Sequence, residues 1–162
     1  MPATMENDLT SFQQWVLGAF NEVGMEPAAG VDPLGLEFTS DNRVARVLPH
    51  ADTALAVIEV EVRSLSDADA LAQARVALLA MRLNDEARFE HAWQIVLDEE
   101  ERLCISSAVV MSDTSAEALV EVLADGLARA TILGEWVDGV LSLQSAHAEQ
   151  SQAGGQPSIV RG

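Results

Sequence analysis

The apolar residues of this chain change their period along its length, and that change restricts the fold more than any single motif. Between residues 54 and 63, Ile58, Val60 and Val62 alternate with Glu59, Glu61 and Arg63, as in a strand with one buried face. The alternation returns at Phe89, His91, Trp93, Ile95 and Leu97, and again at Leu103, Ile105, Ser107 and Val109. Elsewhere the steps are three and four residues: Leu9, Phe12, Val16, Phe20 and Val23; then Leu71, Ala74, Leu78 and Met81; then Leu119, Leu123, Gly126, Ala130, Leu133, Val137 and Val140.

Punctuation residues set the boundaries. Asp8 to Ser11 offer caps for a first helix, and Gly24 follows its last periodic residue. Pro27, Gly30 and Pro33 mark a loop. Leu36 to Thr39 reads as a short strand, Ser40-Asp41-Asn42 as a turn, and Arg43 to Leu48 as a strand stopped by Pro49. Ser66 is the expected cap of a second helix ending near Asn84. Pairing Leu97 with Leu103 and Ile95 with Ile105 puts both apolar sets on one face, across the acidic apex Asp98-Glu99-Glu100-Glu101. Asp113-Thr114-Ser115 opens a long last helix, with Glu117 in its first turn and with Val122, Leu127 and Trp136 widening its stripe. The order is α-β-β-β-α-β-β-α. It predicts an α+β fold: a twisted, mainly antiparallel five-stranded sheet with three helices. Residues 1–145 form one expected domain and residues 146–162, rich in Gln, Ser, Ala and Gly, an expected disordered tail.

Composition narrows the function. A chain of 162 residues that is 49% apolar can bury one core. Its net charge is -17, from 26 acidic and nine basic residues, all nine arginine. Such a field repels phosphate backbones and anionic bilayers, so neither nucleic acid nor membrane is an expected partner, while basic protein segments are attracted. No run approaches the ~20 apolar residues of a membrane span, and MPATMENDLT has neither half of a secretory signal. The single Cys104 fits a reducing, cytoplasmic compartment.

Candidate chemical sites fail in turn. Cys104 faces Val96 in the pairing above, away from His91, so no thiol–imidazole pair forms. His50, His91 and His147 have no ligand spacing, and the Asp98–Glu101 run lacks the pattern of a calcium loop. There is no glycine-rich phosphate loop and no G-x-S-x-G. No catalytic residue, metal or cofactor is expected. Apolar residues off the main stripes, namely Trp15, Leu55, Val57, Val120 and Ile132, add up to more apolar surface than one core needs, as in a binding or oligomerisation face.

Several phrases together resemble the Tir chaperone (CesT) family, the class I type III secretion chaperones. They are FQQWVLGAFNEVG, VDPLGLEFTSDNRVARVL, LLAMRLN, and above all WQIVLDEEERLCISSAVVMSDTSAEALVEVLADGLARATILGEWV. The likeness spans roughly Leu9 to Leu143; the chain departs from it in lacking glycines before the fourth strand and in its tail. The resemblance implies an ATP-independent homodimer, active in protein transport and virulence. It would bind the N-terminal chaperone-binding segment of a secreted effector and keep it extended and secretion-competent. The competing readings are an acidic α+β binding module unrelated to secretion, or an enzyme of unrecognised type.

On the secretion reading, Phe12, Trp15, Val16, Leu36, Phe38, Val44 and Val47 are expected to line an effector groove, with a peptide strand added to a sheet edge. The second helix has apolar residues on several sides, Val76, Leu79 and Leu83 as well as Leu71, Leu78 and Met81. The resemblance places the dimer contact at this helix and the fourth strand, making Leu71, Leu78, Met81, Phe89 and Trp93 the interface candidates.

Overall fold

The computed structural model describes residues 4–24, 35–87 and 93–153. The elements are α1 (Thr4–Glu22), β1 (Leu36–Ser40), β2 (Arg43–Pro49), β3 (Leu55–Ser64), α2 (Ala70–Ala87), β4 (Gln94–Leu97), β5 (Arg102–Val110) and α3 (Ala116–Ala153). A short 3-10 turn, Met111–Asp113, joins β5 to α3. The five strands form one antiparallel sheet in the order β1-β2-β3-β5-β4. Both the α+β class and the element order agree with the periodicities.

Strand pairing explains which side chains are buried. Leu36 sits beside Val47, Val47 beside Ile58, and Ala45 beside Val60. Val60 in turn neighbours Ile105, and Ile105 neighbours Ile95. These residues share one face, and all three helices pack on it. Phe12, Val16, Ala19 and Phe20 of α1 meet Leu36, Val47, Ile58, Leu119 and Leu123. Farther along, Val76 of α2 and Ala130, Leu133 and Val137 of α3 close over Val60, Leu65, Leu103 and Ile105. Burying each such aliphatic side chain contributes about 1.5–3 kcal/mol before the entropy of ordering it.

Local chemistry sets the turns. Asp41 and Asn42 both take positive φ, 50° and 63°, the two-residue turn that matches the twist of a hairpin. At the acidic apex Glu101 is left-handed, with φ 58°. Asp98 makes this possible: its carboxylate accepts from the Glu100 N–H at 2.9 Å, the Arg102 N–H at 2.8 Å and Arg102 Nε at 2.7 Å. Burial by itself would raise the Asp98 carboxyl, but the hydrogen bonds from Arg102 and Glu100 outweigh it and hold the carboxyl below its usual range. A bulge after Glu61 leaves Val62 out of the β3–β5 register. Arg43 reaches across to stabilise it, donating from Nη1 to the Val62 carbonyl at 2.8 Å and from Nε to Thr131 Oγ1 at 3.2 Å.

Three boundaries differ from expectation. The cap of α2 is Asp69, whose carboxylate accepts the Ala72 N–H at 2.8 Å; Ser66 lies in the turn before it. The fourth strand starts at Gln94, with Trp93 before it irregular; the expected strand residues Phe89 and His91 lie outside the described residues. The last helix passes the domain boundary placed at residue 145 and runs to Ala153. Between Gln144 and Ala153 the chain has Ala, Gln, Glu, Ser and His but no Gly or Pro, and Gly154-Gly155 is the first strong helix breaker. Composition alone reads such a segment as polar and unstructured, whereas a helix already running propagates through it.

Candidate protein-binding surface

The second helix is apolar on two sides. Ala72 and Val76 are buried and Ala80 and Leu83 half-buried against β4, β5 and α3. The other side holds Leu71, Leu78 and Met81, 59%, 65% and 68% exposed. These are three of the five sequence-derived interface candidates, and they form an open stripe in the protomer. Trp93 is half-buried instead. Its ring lies against Gly126 of α3, so close that a Cβ there would come within 2.6 Å, and its indole N–H donates to Asp125 Oδ2 at 2.8 Å. The last-helix stripe thus carries a glycine where the Trp93 ring crosses it.

Open apolar surface continues from α2 over β4 to α3. A cavity of about 230 Å³ lies between them, lined by Leu83, Trp93, Ile95, Leu133, Ile132 and Trp136 among others. A smaller cleft of about 140 Å³ separates Val76, Ala80 and Met81 from Leu97 and Leu103. Ile132 and Trp136 each precede a core residue, Leu133 and Val137, and so lie about 100° round the helix from the core stripe. Both are more than half exposed. Trp136, read from sequence as widening the core stripe, is therefore a surface residue. Leu97 is a further member of this surface that the sequence alternation assigns to the core; at the end of a short edge strand it is 49% exposed.

The residues expected to line an effector groove separate into a buried and an accessible set. Phe12, Val16, Leu36 and Val47 do come together, but as core beneath α1, none more than 5% exposed. Trp15 and Phe38 are half-buried at the margin of that cluster. The Trp15 indole donates to the Thr114 carbonyl at 3.4 Å, and the Phe38 ring meets Phe20 edge-on. Val44 pairs with Thr39 on the opposite face of the sheet. The accessible members of the set are thus Trp15, Phe38 and Val44. Phe38 belongs to β1, the outermost strand on that side of the sheet. In a hairpin closed by a two-residue turn, Ser40 and Arg43 exchange both backbone hydrogen bonds. Phe38 and Leu36 follow in step, so the N–H and C=O groups of Glu37 and Thr39 point away from β2, where no described strand pairs with them.

The opposite sheet face carries charge. Arg46 contacts Glu37 at 2.8 Å, Glu59 at 3.1 Å and Glu61 at 3.8 Å, and its side chain is only 11% exposed. Cys104 lies on this face across from Val96, as its alternation predicts, and is fully buried. Burial first, then the carboxylates of Glu59, Asp98 and Glu61, push its thiol up to about 12, so it stays protonated and is a poor nucleophile. Among the described residues no group of three or more His, Cys, Asp or Glu side chains is arranged to hold a metal ion, and no helix is long and apolar enough to cross a membrane.

No family model matches the sequence, and no curated protein matches it. Solved structures do share its fold. One is the type III secretion chaperone SycH of Yersinia pestis in complex with a stable fragment of YscM2. It has a TM-score of 0.54 at 18% identity, over 75% of this chain and 98% of that one. A chain of the ExsC–ExsE complex has a TM-score of 0.59 at 14% identity, covering 80% and 95%. A chain of the HopA1–SchA chaperone–effector complex has 0.52 at 15% identity, covering 87% and 99%. The likeness spans nearly all of each of those chains and is a likeness of fold.

Proposed function

We propose that this protein is a cytoplasmic, ATP-independent secretion chaperone that holds the N-terminal segment of a type III effector extended until export. The observation that carries the reading is the open apolar surface from α2 across β4 to α3, on a fold shared with chaperones solved in complex with their partners. A soluble monomer has little reason to expose Leu71, Leu78, Met81, Ile132 and Trp136 together. A net charge of -17 keeps such a surface from driving aggregation and draws in basic segments.

Two tasks fall to two separate parts of the molecule, the α2 side and the β1 edge at the other end of the sheet. The α2 stripe, with Phe89 and Trp93 as further candidates, joins a second copy in a homodimer, for which a contact of at least ~1,000 Å² is required. The effector segment adds to the β1 edge at Glu37 and Thr39, where backbone hydrogen bonds give affinity with loose sequence demands. Phe38, on β1 itself, is the apolar contact at this edge, with Trp15 and Val44 as further candidates and Phe12, Val16, Leu36 and Val47 as the core beneath Phe38. No step requires nucleotide, metal or catalytic residue.

The test is a pull-down with mass spectrometry from secretion-competent cells, in the presence and absence of ATP. A secreted protein should be recovered in both, and deleting its N-terminal segment should abolish recovery. A bound set without any secreted protein would contradict the proposal.

A further inference from the structure

One polar residue of α2 stands where the helix pattern calls for an apolar one. Ala80 and Leu83 face β4, and Asn84, four residues after Ala80, lies on the same side. Asparagine is a poor helix-interior residue, and a half-buried amide is costly unless its groups are paired. Asn84 is paired at both ends of its amide. Its Nδ2 donates to the Ile95 carbonyl at 2.8 Å, and its Oδ1 accepts the Ile95 N–H at 2.7 Å. Only one orientation of the amide satisfies both.

Ile95 is an edge position. In the β4–β5 ladder Asp98 is bonded to Arg102, its N–H reaching the Arg102 carbonyl at 3.0 Å. Alternation then bonds Val96 to Cys104 and turns the backbone groups of Ile95 and Leu97 outward. The Asn84 amide, a donor beside an acceptor, therefore occupies the place that the peptide group of a sixth strand would take. At the other edge of the sheet no described side chain does this to Glu37 or Thr39.

We propose that Asn84 is a plug that closes the β4 edge to strand addition, so that an extended segment is taken up at the β1 edge alone. The uptake at β1 rests on the function proposed above; the closing of β4 does not. Natural sheets block their edges in several ways, since an open edge pairs indiscriminately. A binding protein whose task is strand uptake needs one edge open and the other shut, and Asn84 supplies the asymmetry. It is a positioning residue, because it acts by occupying backbone groups rather than by touching the bound segment.

The experiment uses the full chain and two variants. Asn84→Leu removes both hydrogen bonds at nearly constant volume in an apolar surrounding. Asn84→Asp keeps the acceptor for the Ile95 N–H and loses the donor. Amide hydrogen exchange is followed residue by residue. The Ile95 amide should exchange at least about tenfold faster in Asn84→Leu, a loss of roughly 1.4 kcal/mol of protection, while the Val96 and Cys104 amides stay slow. In Asn84→Asp, which keeps the acceptor but sets a second carboxylate oxygen against the Ile95 carbonyl, exchange should also be faster than in the wild type. Unchanged Ile95 exchange in a folded Asn84→Leu protein would overturn the proposal.

Uptake is then read with a spin-labelled synthetic decapeptide of alternating valine and arginine. It should broaden the Glu37 and Thr39 amides in the wild type, and those of Ile95 and Leu97 as well in Asn84→Leu. Broadening at Ile95 and Leu97 in the wild type, or none there in the variant, refutes the plug. Absence of broadening at Glu37 and Thr39 in every protein refutes uptake at β1 and leaves the exchange result standing on its own.

Discussion

Replacing Asp98 by Asn should destabilise the protein by an amount that depends on pH, because Asp98 supports the β4–β5 apex through its charge. Asn keeps one oxygen for the N–H groups of Glu100 and Arg102, but it sets an amide nitrogen against Arg102 Nε, where 2.7 Å now separates a donor from an acceptor. A hydrogen bond to a charged group contributes about 1.5–3 kcal/mol. Two facts reduce that figure: Arg102 also reaches Glu100 at 3.2 Å, and the Arg102 and Asp98 side chains are 28% and 22% exposed. About 1–2 kcal/mol remains after solvent screening, which for a domain of this size lowers Tm by roughly 2–8 °C. The sign with pH follows from the depressed carboxyl. A carboxylate with a lowered folded-state pKa gives stability that is fully present above its unfolded value and is lost as pH falls through the folded one. Urea denaturation of both proteins should therefore show the full gap at about pH 7, and the gap should shrink as pH falls below the ordinary aspartate range toward the depressed folded-state value. Equal midpoints at neutral pH, or a gap that does not shrink as pH falls, would refute the reasoning.

Gly126→Val should displace the Trp93 ring, which already sits 2.6 Å from the site of the new Cβ, and cost about 1–3 kcal/mol in urea denaturation; a cost near zero would mean the ring does not rest there. Cys104 should resist alkylation in the native protein at about pH 8 and react fully in urea, since burial pushes its thiol up to about 12; rapid native labelling would contradict that burial. Leu78→Glu combined with Met81→Glu should leave helicity unchanged and shift sedimentation equilibrium from dimer to monomer; a persistent dimer would move the contact off the α2 stripe.

The sequence made the sheet legible because alternation and pairing are coupled. Once Ile95 and Ile105 must share a face, the hairpin register follows, and the structure has that register. Burial on helices was less legible. Phe12 and Val16 are where periodicity puts them, inside, but periodicity does not say whether an apolar stripe meets the chain's own sheet or a groove for another chain. Trp136 shows the converse: a large aromatic next to a core stripe looks like core until the neighbouring elements fail to cover it. Asn84 was beyond pattern reading altogether. Its meaning depends on the outward direction of the Ile95 backbone groups, a property of strand order that no local window contains.

The central claim is that the chain serves the export of another protein. The most direct measurement compares the proteins secreted by otherwise identical cells with and without it, by quantitative mass spectrometry of medium and cell contents. The account predicts that one or a few secreted proteins vanish from the medium and return when the wild-type chain is restored. A secreted set that is unchanged in identity and amount would contradict it.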